Sequence, residues 1–408
     1  MADQATAAGR GASSSGSALS FLFDPKIRGI FFQVVLLLSL VFFFWWIVDN
    51  TATNLAEQDK RTGFGFLSEK ANFAILTTPG TWLFEYQSGE STYWDVFLIG
   101  IVNTLSVAVL GIIAATIIGF VLGVFRLSSN IVLRGFATVY VELLRNTPLL
   151  LQFFVWYKVL GEFLPDRRGE PWDILGVFTL DKSGLRGPFP YPQDGFELVL
   201  IAFALSVIGA ILLGRWAKWR QDATGKPFPS FWVGAGMIVL IPITLFYALG
   251  APLEWEEPVR GRFGFRDGAG MVMKPEMFAV WLALTLYTAA FIAEIVRAGI
   301  LAINKGQTEA AHALGLRAQP TLNLIIIPQA MRVIIPPLTS QYLNLTKNSS
   351  LAVAIGYTDL YSLLGTVNQK VGQEVEIILM VMAVYLTFSI TISLVMNWYN
   401  KRIALVER

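Results

Sequence analysis

Eight runs of predominantly apolar residues constrain the fold of this chain more than anything else in it: 30–48, 96–125, 132–160, 196–214, 231–249, 277–296, 325–345 and 375–398. Each is long enough to cross the ~30 Å hydrocarbon core of a bilayer as an α-helix, which needs about 20 residues. Lipid offers no hydrogen bonds, so a crossing segment must satisfy its own backbone, and a helix does so within the segment. The composition agrees. The chain is 54% hydrophobic and 15% charged, with a mean hydropathy of +0.57, whereas soluble domains carry about 25% charged residues. There is no cysteine, which excludes disulfides and thiolate metal sites without fixing the compartment. The net charge of +2 says little; where the charges lie says more. The expectation is an all-α integral membrane protein with about eight transmembrane helices.

Residues 1–29 are rich in Ala, Gly and Ser and read as a disordered cytoplasmic tail. The first apolar run reads as a genuine first span in preference to its rival, a signal peptide: it lies far from the N-terminus, ends near Trp45-Trp46 and lacks a small-residue cleavage site. Lys26 and Arg28 precede it. Basic residues also mark every second connection: Arg126 and Arg134, then Arg215, Lys218, Arg220 and Lys226, then Lys305 and Arg317, and finally Lys401 and Arg402. The alternate loops, 49–95, 161–195 and 250–275, mix bases with many acids. By the excess of Lys and Arg on cytoplasmic loops, both termini are expected inside.

Within the inner connection after residue 296 stands Glu309-Ala310-Ala311-His312-Ala313-Leu314-Gly315. Gly306 and Thr308 open a helix, with Thr308 as its N-cap. Glu309 falls in the first turn, where the helix dipole favours an anion. Three alanines give high helix propensity with almost no bulk. Ala311 and Gly315, four apart, share a face that another backbone can approach closely. Gly315 can end the helix in a left-handed conformation, and Pro320 can start the next one.

Three further strings are conspicuous. In Arg145-Asn146-Thr147-Pro148-Leu149-Leu150-Leu151-Gln152, the proline removes a hydrogen bond and kinks a helix. Asn146, Thr147 and Gln152 either satisfy the freed groups or line a path. Glu294 and Arg297, three apart near the end of an apolar run, form an ion pair or a gate. Finally, Pro328, Pro336 and Pro337 interrupt a run that continues into Asn344-Leu345-Thr346-Lys347-Asn348-Ser349-Ser350. Polar groups and a lysine in a proline-broken hydrophobic segment point to a solute path.

These strings resemble the polar amino-acid permeases of ABC importers. Glu309-Ala310-Ala311, Gly315, Ile325 and Pro328 stand at the spacing of that family's EAA loop, with Ile327 where a leucine is usual. The string from Arg145 to Gln152 resembles the family's Arg-x-Thr-Pro-Leu-Leu-x-Gln. Asn348 and Ser349 stand where the family has Asp and Thr, so one negative charge is missing. The similarity is nearly continuous from about 277 to 402 and returns over 96–152, including Gly100, Asn103 and Thr104. It implies a type I importer permease fold with inserted helices: an extra first span and outer loop over 30–95, permease core over 96–159 and 275–408, and an insertion over 160–274 carrying two spans. The long chain looks closest to the general L-amino-acid or acidic/amide amino-acid permeases.

The resemblance also implies roles. Gly306, Gln307, Glu309, Ala310, Ala311 and Gly315 would form the docking surface for two copies of an ABC ATPase subunit. Asn103, Thr104, Gln152, Asn344, Lys347, Asn348 and Ser349 would line the substrate path. A second homologous permease would complete that path, and a periplasmic binding protein would deliver an L-amino acid. The expected setting is the bacterial inner membrane, with no nucleic-acid partner. No Gly-x-x-x-x-Gly-Lys-Ser/Thr loop is present, so ATP and Mg belong to the partner ATPase and no cofactor is expected here. The only histidine, His312, makes a His-based metal site or catalytic triad untenable. An ion-coupled secondary amino-acid transporter shares the hydropathy and the broken helices but has no need of the EAA loop. A membrane-embedded enzyme needs convergent acids, bases or metal ligands that the spans do not offer.

Overall fold

The computed structural model describes residues 25–58, 60–261, 264–265 and 270–403. The tail expected at the N-terminus lies, through residue 24, outside the described residues. The chain divides into two compact units, Met1–Phe64 and Gly65–Arg408. In the first, α1 (Pro25–Glu57) extends beyond the expected run at both ends. Between Ile30 and Val48 its phenylalanines, leucines and tryptophans are exposed on every side. A helix apolar all round belongs in lipid rather than on a core.

In the second unit, a short α2 (Pro79–Leu83) precedes α3 (Tyr93–Phe125). Thr92 caps α3: its hydroxyl and backbone N–H engage Asp95, whose carboxylate also suits the positive end of the helix. Next come α4 (Ile131–Arg145) and α5 (Leu149–Phe163), then β1 to β4 between Trp172 and Pro192. The inserted hairpin α6 (Phe196–Thr224) and α7 (Ser230–Ala248) leads into β5 to β8 between Leu253 and Met273. The chain then returns through α8 (Pro275–Leu301), α9 (Lys305–Ala313), α10 (Ala318–Thr321), α11 (Ile327–Asn348), α12 (Leu360–Val371) and α13 (Glu374–Ile403).

Helices α3 and α8 form the spine. A Cβ on Gly119 would stand 2.6 Å from Ile292 Cβ, and one on Gly123 would stand 2.7 Å from Val296 Cβ. Only glycine permits that approach, which is how membrane helices gain contact where no hydrophobic drive exists between them. The matching order, 119 to 292 and 123 to 296, makes the two helices parallel. α11 runs the other way: Thr116 meets Tyr342 at 2.8 Å, while Gly111 faces Leu345. Val107, Leu284, Ile292, Ile334 and Leu345 fill the shared core. A second cluster, Phe66, Tyr93, Val96, Ile99, Leu360 and Ile377, closes the end where α3 begins.

Seven helices among the described residues are long and apolar enough to cross a membrane alone. The expected span 132–160 is not one of them. It is divided into α4 and α5, of 15 residues each. Together they still travel from the end of α3, where Arg126 approaches Glu142 at 3.6 Å, to the start of α8, where Tyr157 donates to Glu276 at 3.2 Å. The break falls at Asn146-Thr147-Pro148. Conversely, α11 is not broken at Pro336-Pro337. A π-helical stretch, Leu322–Ile326, precedes Pro328, and the interruption comes later, as a 3-10 stretch at Ser349–Ile355. The strands had no sequence forecast. They join the two outer loops flanking the inserted hairpin: β3 (Gly184–Gly187) pairs with β8 (Met271–Met273), with Leu185 opposite Met273, and β1 (Trp172–Ile174) and β2 (Phe178–Asp181) complete a four-stranded antiparallel sheet ordered β1-β2-β3-β8.

Candidate functional site

The segment carrying Glu309 forms α9, capped by Asn304 and not by Thr308: the Asn304 side chain accepts the N–H of Gly306 at 2.8 Å. The first turn therefore starts earlier than the Thr308 cap implied, because Asn competes equally well for that position. The helix ends as the glycine requires. Leu316 N–H reaches Ala311 O at 3.0 Å, Gly315 N–H reaches His312 O at 2.9 Å, and Gly315 sits at φ +76°. This pair of bonds is the Schellman ending.

Ala311 is buried within the chain, so it does not share a free face with Gly315. It is the foot on which α9 rests. Gly306, Gln307, Glu309, Ala310, His312 and Gly315 are exposed, and so is Leu314, at 82%. Leu314 carries a large apolar side chain on a short polar helix, and sequence reasoning passed over it. Its one available signal was a leucine where α9 otherwise carries small or polar groups.

Above α9, Glu294 on α8 is the hub of a charged cluster. It pairs with Arg297 at 2.7 Å and contacts Arg126 and, at 3.9 Å, Arg145. Arg126 also approaches Glu142, and the Arg145 guanidinium lies 5.2 Å from the centre of the Phe291 ring. The expected Glu294–Arg297 pair is thus one edge of a five-residue network tying α3 and α4 to the helix that leads into α9. Arg126 and Glu142 are far from Glu294 in sequence; the packing of Gly123 against Val296, and of Ala137 and Val141 with Ala290 and Ala293, brings them near.

The seven residues assigned to a solute path separate into two groups. Asn103 accepts from Gly80 N–H at 2.8 Å and donates to Thr358 O at 2.7 Å. Thr104 accepts from Leu360 N–H at 3.0 Å. Both are fully buried and clip α2 and the start of α12 to α3. Gln152 donates to Leu144 O at 3.0 Å and to Thr147 O at 3.1 Å, bridging the α4–α5 break. Ser349 is buried and donates to Thr346 O at 2.8 Å. In the other group, Asn344 and Lys347 are exposed and Asn348 is half-buried. With exposed Ser340 they form a polar stripe at helical spacing along α11. Lys347 is in no ion pair among the described residues, although it lies in a helix able to span a membrane. An unpartnered ammonium at such a place needs a partner from outside the chain.

No cluster of His, Cys, Asp or Glu among the described residues is suited to hold a metal ion.

Residues 206–405 match the family described as binding-protein-dependent transport system inner membrane component. The general L-amino acid transport system permease protein AapQ of Rhizobium johnstonii is 47% identical, with 95% of each chain covered. The putative amino-acid ABC transporter permease protein YhdX of Escherichia coli is 45% identical, over 96% of this chain and 98% of that one. The glutamate/glutamine/aspartate/asparagine transport system permease protein BztB of Rhodobacter capsulatus is 41% identical, over 97% and 98%.

Proposed function

From its membership of the amino-acid permeases of ABC importers, the family to which this chain belongs, we propose that it is one half of a transmembrane pathway for L-amino acids, polar, acidic or amide-bearing or of broad range. A second, unlike permease supplies the other half. A periplasmic binding protein delivers the solute, and two ATPase subunits supply the energy. The chain sits in the bacterial inner membrane with both termini cytoplasmic, and ATP with its Mg is bound on the ATPases.

The observation that carries this reading is α9. It is a short, exposed helix held to the body through buried Ala311 and a hydrogen bond that Gln329 donates to Gln307 at 3.3 Å, and the apolar side chain of Leu314, at its C-cap, is uncovered. An exposed leucine among Glu309, Ala310 and His312 suits a shallow groove on a partner, where a buried aliphatic anchor contributes most of the binding. Docking force reaching α9 passes directly into α8. There the Glu294 network spreads it to α3 and α4, which suits alternating access. The unpaired Lys347 with Asn344 and Asn348 supplies hydrogen-bond donors and acceptors along α11, as an amino-acid carboxylate and ammonium require. Asn103, Thr104, Gln152 and Ser349 support the walls rather than the lumen.

The test uses the reconstituted complex. Leu314→Asp removes an exposed side chain and so spares the fold. We expect it to insert normally while binding-protein-stimulated ATP hydrolysis and uptake fall by about tenfold or more. Asn344→Leu is expected to keep the ATPase subunits bound and to lose uptake. Full stimulation in Leu314→Asp would remove α9 as the docking surface.

A further inference from the structure

We infer that the cleft between α6 and α13 is a binding site for one anionic phospholipid, whose phosphate is held by Arg215, Lys218 and Arg402. The cleft has a volume of about 660 Å³ and is walled by those three cations together with Ala210, Ile211 and Gly214. Two of the cations come from the inserted hairpin and one from the last helix, so they converge through the fold and not through sequence.

Three observations fix the chemistry. The first is charge. No carboxylate among the described residues pairs with Arg215, Lys218 or Arg402, and Asp222, a turn beyond Lys218, stands in no ion pair. Arg220 is turned away onto the rings of Trp216 and Phe228. Guanidinium groups match phosphate oxygens in a bidentate fork, and an ammonium adds a compact point charge.

The second is depth. Trp216 and Trp219 on α6, and Trp398 and Tyr399 on α13, are all exposed beside the cations. Such aromatics gather at headgroup level. The Arg402 guanidinium stacks 4.4 Å from the centre of the Trp398 ring, which holds it at that level. The third is the wall. Ala210 and Gly214 are one turn apart, and the space where Gly214 would carry a Cβ is open. α6 and α7 pack on each other, and in a bilayer the room between α6 and α13 must hold an apolar chain. Phosphate at the rim and an acyl chain along the wall describe one ligand, and basic pockets between membrane helices are suited to it.

The experiment is lipid retention by the whole complex in nanodiscs of phosphatidylethanolamine with phosphatidylglycerol, read by native mass spectrometry. R215Q/K218Q/R402Q is expected to lower tightly retained phosphatidylglycerol on the order of tenfold, with phosphatidylethanolamine unchanged. Gly214→Leu fills the wall and leaves every charge in place; it is expected to lower retention as well. R215K/R402K keeps the charge and loses the guanidinium fork; it is expected to retain phosphatidylglycerol at a level between wild type and the triple variant, which shows that the substitutions are tolerated. Undiminished phosphatidylglycerol in the triple variant overturns the site. So does equal loss of both lipids. Displacement by millimolar inorganic phosphate, with Gly214→Leu retaining the anion, would assign the cleft to free phosphate and also overturn it.

Discussion

Asp359 shows how far one side chain can depart from its usual chemistry. It is completely buried and caps α12, accepting from Ser362 N–H at 2.8 Å and from Tyr385 Oη at 3.3 Å. Burial raises its carboxyl from 3.8 to about 7, and the hydrogen bonds only partly oppose that. The sign follows from linkage. With a raised pKa, the folded state holds a proton that the unfolded chain has released. Stability therefore falls as pH rises between about 4 and 7, by at most ~1.4 kcal/mol per unit. Above that window the cost is complete. An asparagine in place of the acid would keep the cap and lose the charge, so Asp359→Asn is expected to flatten the profile and to melt higher at pH 8. Melting temperatures of the purified complex at pH 5 and 8 check this; a wild-type curve without slope would show that Asp359 is not protonated in the fold.

At the scale of elements, the α4–α5 junction is the most instructive. Pro148 denies the helix an N–H, and the carbonyls of the preceding turn lose their partners. Side chains replace them. Asn146 donates to Glu142 O and Thr147 to Leu143 O, both at 2.7 Å, while Gln152 reaches back to Leu144 O and Thr147 O. Backbone carbonyls at the break thereby find side-chain partners, while the Gln152 Oε1 itself has no partner among the described residues. Gln152→Leu keeps the volume and strips the Leu144 and Thr147 carbonyls of the donor that Gln152 supplies. We expect a loss of about 1–3 kcal/mol, seen as a lower melting temperature, with stimulated ATPase activity per folded complex unchanged. A variant as stable as wild type but defective in uptake would return Gln152 to the lumen. In α11, by contrast, the helix continues through Pro336 and Pro337 and the true interruption follows Asn348.

At the scale of the whole molecule, the parallel spine of α3 and α8 and the antiparallel α11 place Arg126, α9 and the charged network at one end. The residues around Ser88 lie at the other, beyond the start of α3. Because the chain has no cysteine, single cysteines report topology cleanly. Cysteines at Ser129 and Gln221 are expected to be shielded from an impermeant thiol reagent in intact cells, and one at Ser88 is expected to react. All three positions are exposed, so burial does not confuse the reading. Labelling at Gln221 from outside would place the inserted hairpin the other way round.

The long apolar runs determined by themselves that this is a helical membrane protein, because hydrocarbon leaves the backbone no other local solution. Local chemistry also sufficed for the left-handed ending at Gly315 and the Glu294–Arg297 pair, since both rest on neighbours within a turn. Tertiary structure decided the rest. It turned Ala311 inward and left Leu314 bare, drew Arg126, Glu142 and Arg145 around Glu294, and gave Asn103 and Thr104 hydrogen bonds that clip the start of α12 to α3. It also paired two distant loops into a sheet and brought Arg402 beside Arg215. Each of these depends on helix packing between segments separated by tens to hundreds of residues, and on which side of a helix faces lipid, core or a missing partner. Hydropathy along a chain carries no record of that.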